Sequence, residues 1–158
     1  MQKLIILRGL PFSGKTTWAE KFNEKQGRRF VIFNTDEMID AIKQQYPMMT
    51  RTELRDAADI KLVQTIAAGY SIIVDDVNVI SSHLARVIEC IKQANERTGM
   101  SVYVEIKQFA TPIGVCIDRA IKSGLNEEAV HTTLDRYYRY CLRKKIIYSN
   151  EENSKTDL

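Results

Sequence analysis

Hydrophobic positions along this chain fall into two alternating periods. Short, nearly unbroken apolar runs stand at 3–8, 29–33, 71–75 and 101–109. Runs of that length, rich in β-branched residues and bounded by glycine or polar residues, predict strands, the first of them buried on both faces. Between them apolar residues recur at helical spacing. Trp18, Ala19 and Phe22 face inward from a helix over 14–26 that Gly27 stops. A short helix follows over 37–45 and ends before Pro47. Thr50 and Glu53 have capping-box spacing for a helix running to Ala68, with Gly69 just beyond. Ser81 or Ser82 caps the next helix, whose Leu84, Val87, Ile88, Ile91 and Ala94 make one apolar face until Gly99. Pro112 suits the first turn of a helix to Lys122, Ser123-Gly124-Leu125-Asn126 breaks it, and a last helix runs over 127–147.

Strands alternating with helices imply one α/β domain over 1–148, with a parallel sheet of four or five strands, helices on both faces and a polar tail at 149–158. In such folds ligands gather at the carboxyl ends of the strands. Three groups fall at that edge: the loop 9–16, Asp36 after the second strand, and Asp75-Asp76 after the third.

The 158 residues suffice for one domain with a core. Lys and Arg number 23 against 20 Asp and Glu, a net charge of +3, so contact with nucleic acid must rest on local clustering. Cys90, Cys116 and Cys141 are odd in number and lack C-x-x-C spacing, which argues against a disulfide framework or a zinc site. Met1 to Leu4 run straight into the first strand without room for a signal peptide, and no apolar run approaches spanning length. The expectation is a cytoplasmic protein that contacts no membrane.

Gly9 and Gly14-Lys15-Thr16 fit G-x-x-x-x-G-K-[ST], the loop that wraps a nucleotide's phosphates. Its glycines allow a sharp turn whose N–H groups point inward, and the following helix adds the positive end of its dipole. Gly9, Pro11, Phe12, Ser13, Gly14, Lys15, Thr16 and Thr17 are therefore the expected nucleotide-binding residues, with Lys15 on the β- and γ-phosphates and Thr16 on Mg²⁺. Asp36 has the placement of a general base for an attacking hydroxyl, and equally that of a residue at a helix start. Asp75 has the placement of the Mg²⁺-side acid; Asp76 or Asn78 can face an acceptor, and which acid takes which part stays open. Arg119 and Lys122, one turn apart, offer cations for the transferred group from a helix able to act as a lid.

In the last helix Leu134, Tyr137, Tyr138, Cys141 and Leu142 share an apolar stripe, while Arg136, Arg139 and Arg143 recur on another side. A basic stripe beside tyrosines can grip a phosphodiester backbone, but a solvated face is the commoner meaning. Arg51 and Arg55 invite the same two readings, and His83 and His131 have no partners at metal-ligand spacing.

Taken together, Gly14-Lys15-Thr16-Thr17-Trp18-Ala19, Asn34-Thr35-Asp36-Glu37, Ile72–Asn78 and Val115–Arg119 resemble the kinase domain of phage-type 5′-hydroxyl polynucleotide kinases, with a looser match at Tyr137–Tyr140. The resemblance implies a P-loop kinase fold with strand order 2-3-1-4, an ATP-binding helical lid, and ATP and Mg²⁺ as cofactors. It implies Lys15 and Thr16 on the triphosphate and Mg²⁺, Asp36 as general base, Asp76 and Asn78 near the acceptor, and Arg119 in the lid. Two positions depart from the pattern: Ile39 stands where phage members have an arginine that engages an acceptor phosphate, and Ser123 replaces a second lid arginine. The function implied is transfer of the γ-phosphate of ATP to a hydroxyl on DNA or another nucleic acid, at a 5′ end or a hydroxymethylated base. A kinase of a free nucleoside or other metabolite, and a nucleotide-dependent switch with no acceptor, are the alternatives.

Overall fold

A computed structural model describes residues 1–143. The predicted end of the last helix at 147 and the polar tail at 149–158 lie outside the described residues.

Four strands, β1 (Lys3–Arg8), β2 (Phe30–Phe33), β3 (Ser71–Val74) and β4 (Tyr103–Gln108), form one parallel sheet in the order β2-β3-β1-β4. Six helices join them: α1 (Lys15–Lys25), α2 (Thr35–Gln45), α3 (Arg51–Ala67), α4 (Ser81–Thr98), α5 (Ile113–Lys122) and α6 (Glu127–Arg143). The sheet is α/β with helices on both faces, as the alternation of periods requires.

Strand alternation divides the core. Leu4, Ile6, Ile72 and Val74 face α3 and α4, where they pack with Leu62, Val63, Ile66, Val87, Ile91 and Ala94. Ile5, Leu7 and Ile73 point the other way onto Ala19, Trp18 and Phe22 of α1. The register Leu4↔Ile72, Ile6↔Val74 keeps like-facing residues level; β3 ends opposite Ile6, two residues before β1 ends at Arg8 on the same edge. A third cluster joins α5 to α6 through Cys116, Ala120, Val130 and Leu134, and Leu10 of the loop after β1 is inserted into it.

Several local expectations shift. α2 begins two residues early because Asn34 caps it, its side chain accepting from the Glu37 N–H at 3.0 Å. Neither Ser81 nor Ser82 caps α4: Ile80 holds that position, Ser81 already lies inside the helix, and the Ser81 hydroxyl and N–H both meet Tyr140 Oη of α6, at 2.7 and 2.8 Å. Ile88 and Leu142 are exposed, while Cys90 of α4 and Cys141 of α6 are buried. All three cysteines are buried, and burial pushes the Cys90 thiol up to about 12, leaving it protonated. No helix among the described residues is long and apolar enough to cross a membrane.

The capping box on α3 forms in both directions, Glu53 N–H to Thr50 Oγ1 at 3.2 Å and Thr50 N–H to Glu53 Oε2 at 2.7 Å. Thr50→Ala is expected to lower stability by about 1 kcal/mol, read as a lower urea midpoint with unchanged m-value.

Candidate active site

The loop between β1 and α1 is shaped by close approach and by dipoles. Gly9 donates its N–H to the Val77 carbonyl at 3.0 Å, and a Cβ there would stand 2.8 Å from both Phe109 Cβ and Ser13 Oγ. Gly14 has φ +97° and Phe12 has φ +64°, so two left-handed residues turn the chain into α1. Since α1 begins at Lys15, the N–H groups of Lys15, Thr16 and Thr17 have no intrahelical acceptor and lie at the positive end of the helix. Neighbours brace the loop from three sides. Thr111 Oγ1 donates to the Ser13 carbonyl at 2.7 Å, Arg119 donates to the Phe12 carbonyl at 3.1 Å, and Leu10 is locked into the α5–α6 cluster.

Lys15 is buried, and its ammonium donates to the carbonyls of Gly9 at 3.1 Å and Leu10 at 2.7 Å. Burial lowers its pKa to about 8, partly offset by the negative charges of Asp75 and Asp76. Thr16 Oγ1 donates to Asp75 Oδ2 at 2.7 Å. This contact separates the two acids that sequence left interchangeable: Asp75 faces the phosphate loop, and Asp76 faces α2. A hydroxyl and a carboxylate in hydrogen-bond contact are hard oxygen donors of the kind Mg²⁺ takes, so this pair fits that ion.

Asp76 accepts from the Thr35 N–H at 2.9 Å and from Thr35 Oγ1 at 2.6 Å. Burial raises its pKa against those hydrogen bonds, and the charges of Asp36 and Asp75 raise it further. Asp36, the next residue along, is exposed and near enough to Asp76 to act on its charge. Asp76 and Asn78, the residues expected near an acceptor, both have partners within the protein. Both Asp76 oxygens are engaged by Thr35, so its visible work is to hold the first turn of α2. Asn78, fully buried with φ +51°, donates from its amide to the Leu7 carbonyl at 2.8 Å and so pins the loop after β3 to β1. Asn34 adds a brace that its capping position alone could have suggested, donating to the Asp75 carbonyl at 2.6 Å. Thr111 and Leu10 carry no such signal, because only the tertiary packing shows what they touch.

Arg119 lies against the loop, while Lys122 one turn later is exposed. The arginines of α6 are also exposed, and Arg136, Arg139 and Arg143 line a groove together with Glu128, His131, Thr132 and Asp135. Two acids thus interrupt the basic stripe.

Residues 4–141 match the family described as AAA domain. The chain belongs to that family. It is a P-loop kinase family, and the fold and loop geometry above are those of a P-loop nucleotide-binding domain. This AAA domain is 28% identical over 127 residues to the L-seryl-tRNA(Sec) kinase of Methanococcus maripaludis, a match that covers 77% of the chain and 46% of that kinase. The chain thus spans about half the length of this curated relative. Among solved structures it resembles a chain of the Pnkp1/Rnl/Hen1 RNA repair complex (TM-score 0.61, 18% identity, covering 99% of this chain and 51% of that one). It also resembles the tunicamycin resistance protein of Deinococcus radiodurans (TM-score 0.54, 19% identity, covering 88% and 81%). These structural likenesses concern the fold.

Two outcomes follow from the loop. Gly9→Ala is expected to destabilise the AAA domain by about 1–3 kcal/mol, seen as a lower melting temperature, since Phe109 and Ser13 must both give way. Lys15 loses its charge above about pH 8, so an anion that needs the ammonium must bind together with a proton. Affinity for tripolyphosphate should therefore fall as pH rises past 8, by up to about tenfold per unit. Calorimetric titration at pH 7, 8 and 9 reads this, and an unchanged affinity contradicts it.

Proposed function

We propose that the chain is an ATP- and Mg²⁺-dependent kinase that transfers the γ-phosphoryl group to a hydroxyl on a nucleic acid, a 5′ end or a hydroxymethylated base, with Asp36 as general base. The observation that carries this reading is the division of labour between the acids. Asp75 is tied to Thr16 of the phosphate loop, and Asp76 is spent on Thr35, which leaves Asp36 exposed at the same edge. A switch without an acceptor has no use for that third carboxylate. The likeness to a seryl-tRNA kinase and to a chain of an RNA repair complex supports a hydroxyl carried by a nucleic acid.

In this mechanism the N–H groups at the start of α1, the loop 9–16 and Lys15 seat the triphosphate of ATP. Thr16 and Asp75 would hold Mg²⁺, which supplies positive charge beside the phosphate oxygens. Asp36 takes the proton of the acceptor hydroxyl as its oxygen attacks the γ-phosphorus, the bond from phosphorus to the bridging oxygen breaks, and ADP leaves. Arg119, carried on the lid helix α5 and resting on the loop carbonyl of Phe12, and Lys122 supply cations for the charge that spreads over the transferred group.

The groove on α6 favours a second reading, a kinase of a free nucleoside or other small metabolite. Its three arginines are interrupted by Glu128 and Asp135, and the whole chain carries only +3, so this groove does not concentrate positive charge as a nucleic-acid track does. Labelled ATP offered with 5′-hydroxyl DNA, 5′-hydroxyl RNA, hydroxymethyl-base DNA and nucleosides separates the two. On whichever acceptor is labelled, Asp36→Asn should cut kcat by about 10²–10⁴ while ATP affinity holds. Wild-type turnover by that variant would remove Asp36 from the base role.

A further inference from the structure

The turn Leu10-Pro11-Phe12-Ser13 is closed by a hydrogen bond from the Ser13 N–H to the Leu10 carbonyl at 3.2 Å. Proline in the second place and a positive φ in the third are the pattern of a type II turn, whose third place normally takes glycine or asparagine. Here it holds Phe12, at φ +64°. A bulky residue in that region is strained, because its Cβ crowds the following carbonyl oxygen. Core packing does not impose the conformation: the Phe12 ring is exposed and belongs to none of the buried clusters. A strained residue persists only where its surroundings over-determine it.

Two side chains supply that constraint. Arg119 donates to the Phe12 carbonyl at 3.1 Å and Thr111 Oγ1 to the Ser13 carbonyl at 2.7 Å, so the two consecutive peptides after Phe12 are both held. The braces differ in permanence. Arg119 is exposed on α5, and in the kinase reading its guanidinium also serves the transferred group. Thr111 stands before α5, on a segment tied to β1, where the Phe109 N–H donates to the Arg8 carbonyl at 2.8 Å. Pro112, next in the chain, keeps the backbone of Thr111 extended and so limits where its hydroxyl can reach.

We propose that Thr111 is a positioning residue of the phosphate loop: its hydroxyl holds the strained turn at Phe12 in the anion-binding shape before a ligand arrives and while Arg119 is engaged elsewhere. This inference rests on the reading of loop 9–16 as a triphosphate seat. Without the Thr111 bond Phe12 returns toward negative φ and the peptides beside it turn, so only a fraction of molecules keeps the seat. Apparent affinity for a triphosphate then falls by that fraction.

The test reads binding and needs no turnover. Tripolyphosphate with Mg²⁺ is titrated calorimetrically into wild type, Thr111→Val, Thr111→Ser, Phe12→Gly and the Phe12→Gly/Thr111→Val pair, with melting curves to establish that each is folded. Thr111→Val, which keeps the shape and removes the hydroxyl, should weaken binding about tenfold, and Thr111→Ser, which keeps the hydroxyl, should stay within about twofold of wild type. Glycine adopts positive φ without strain, so in the Phe12→Gly background Thr111→Val should cost less than about twofold. A threonine that merely supports the fold would cost the same in both backgrounds. Amide exchange needs no variant: in the ligand-free wild type the Ser13 N–H should already be protected, and tripolyphosphate should leave that protection little changed. Wild-type affinity in Thr111→Val, an equal loss in both backgrounds, or a Ser13 N–H protected only when tripolyphosphate is bound overturns the proposal. A wild type that binds no tripolyphosphate removes the triphosphate seat itself, and the proposal with it.

Discussion

The 2.7 Å hydrogen bond from Thr16 to Asp75 exists only because β3 lies directly beside β1 and runs to the same edge of the sheet. Residues 16 and 75 are far apart in the chain, and a strand inserted between β1 and β3 would separate them by about 5 Å more. The rest of the edge is assembled around this adjacency. Asp75 donates its N–H to Phe33 of β2, Asn34 donates to the Asp75 carbonyl, and Gly9 donates to Val77. Each bond joins the end of one strand to the start of the next loop, so the site is held by backbone positions that the buried sheet makes rigid.

Charge at this edge is ordered by burial. Lys15 is buried with its ammonium on two loop carbonyls, and its charge costs enough to lower its pKa to about 8. Asp76 is pushed the opposite way by the same desolvation and is kept in place by two hydrogen bonds from Thr35. The buried acids therefore act as braces, and the one left exposed, Asp36, is the one whose oxygens are open to another molecule. Structural support and chemical availability have been divided among three neighbouring carboxylates.

The phosphate loop is also a packing element. Leu10 belongs to the α5–α6 cluster, Thr111 holds the Ser13 carbonyl and Arg119 holds that of Phe12. A displacement of α5 is consequently felt in the loop through the apolar cluster around Leu10 and the hydrogen bond of Arg119. On the opposite side, α3 and α4 are locked together by Arg86 and its two acids.

The strands, the capping box of α3 and the phosphate loop were legible in the residues because each is written in local chemistry: β-branched runs, a Thr–Glu capping pair, a glycine where φ must be positive; the strand order was legible only through the family resemblance. The topology then placed Asp36, Asp75 and Asp76 at one edge without further information. What local pattern left undecided was direction. Whether an acid at that edge faces the loop, braces a helix or meets solvent depends on which neighbour arrives opposite it, and Thr16 and Thr35 come from distant segments. For the same reason Asn78 is a buried pin and Ser81 is no cap. Periodicity and turn chemistry act over a few residues and so are visible in one dimension, whereas the partner of a side chain is chosen by the packing of the whole sheet.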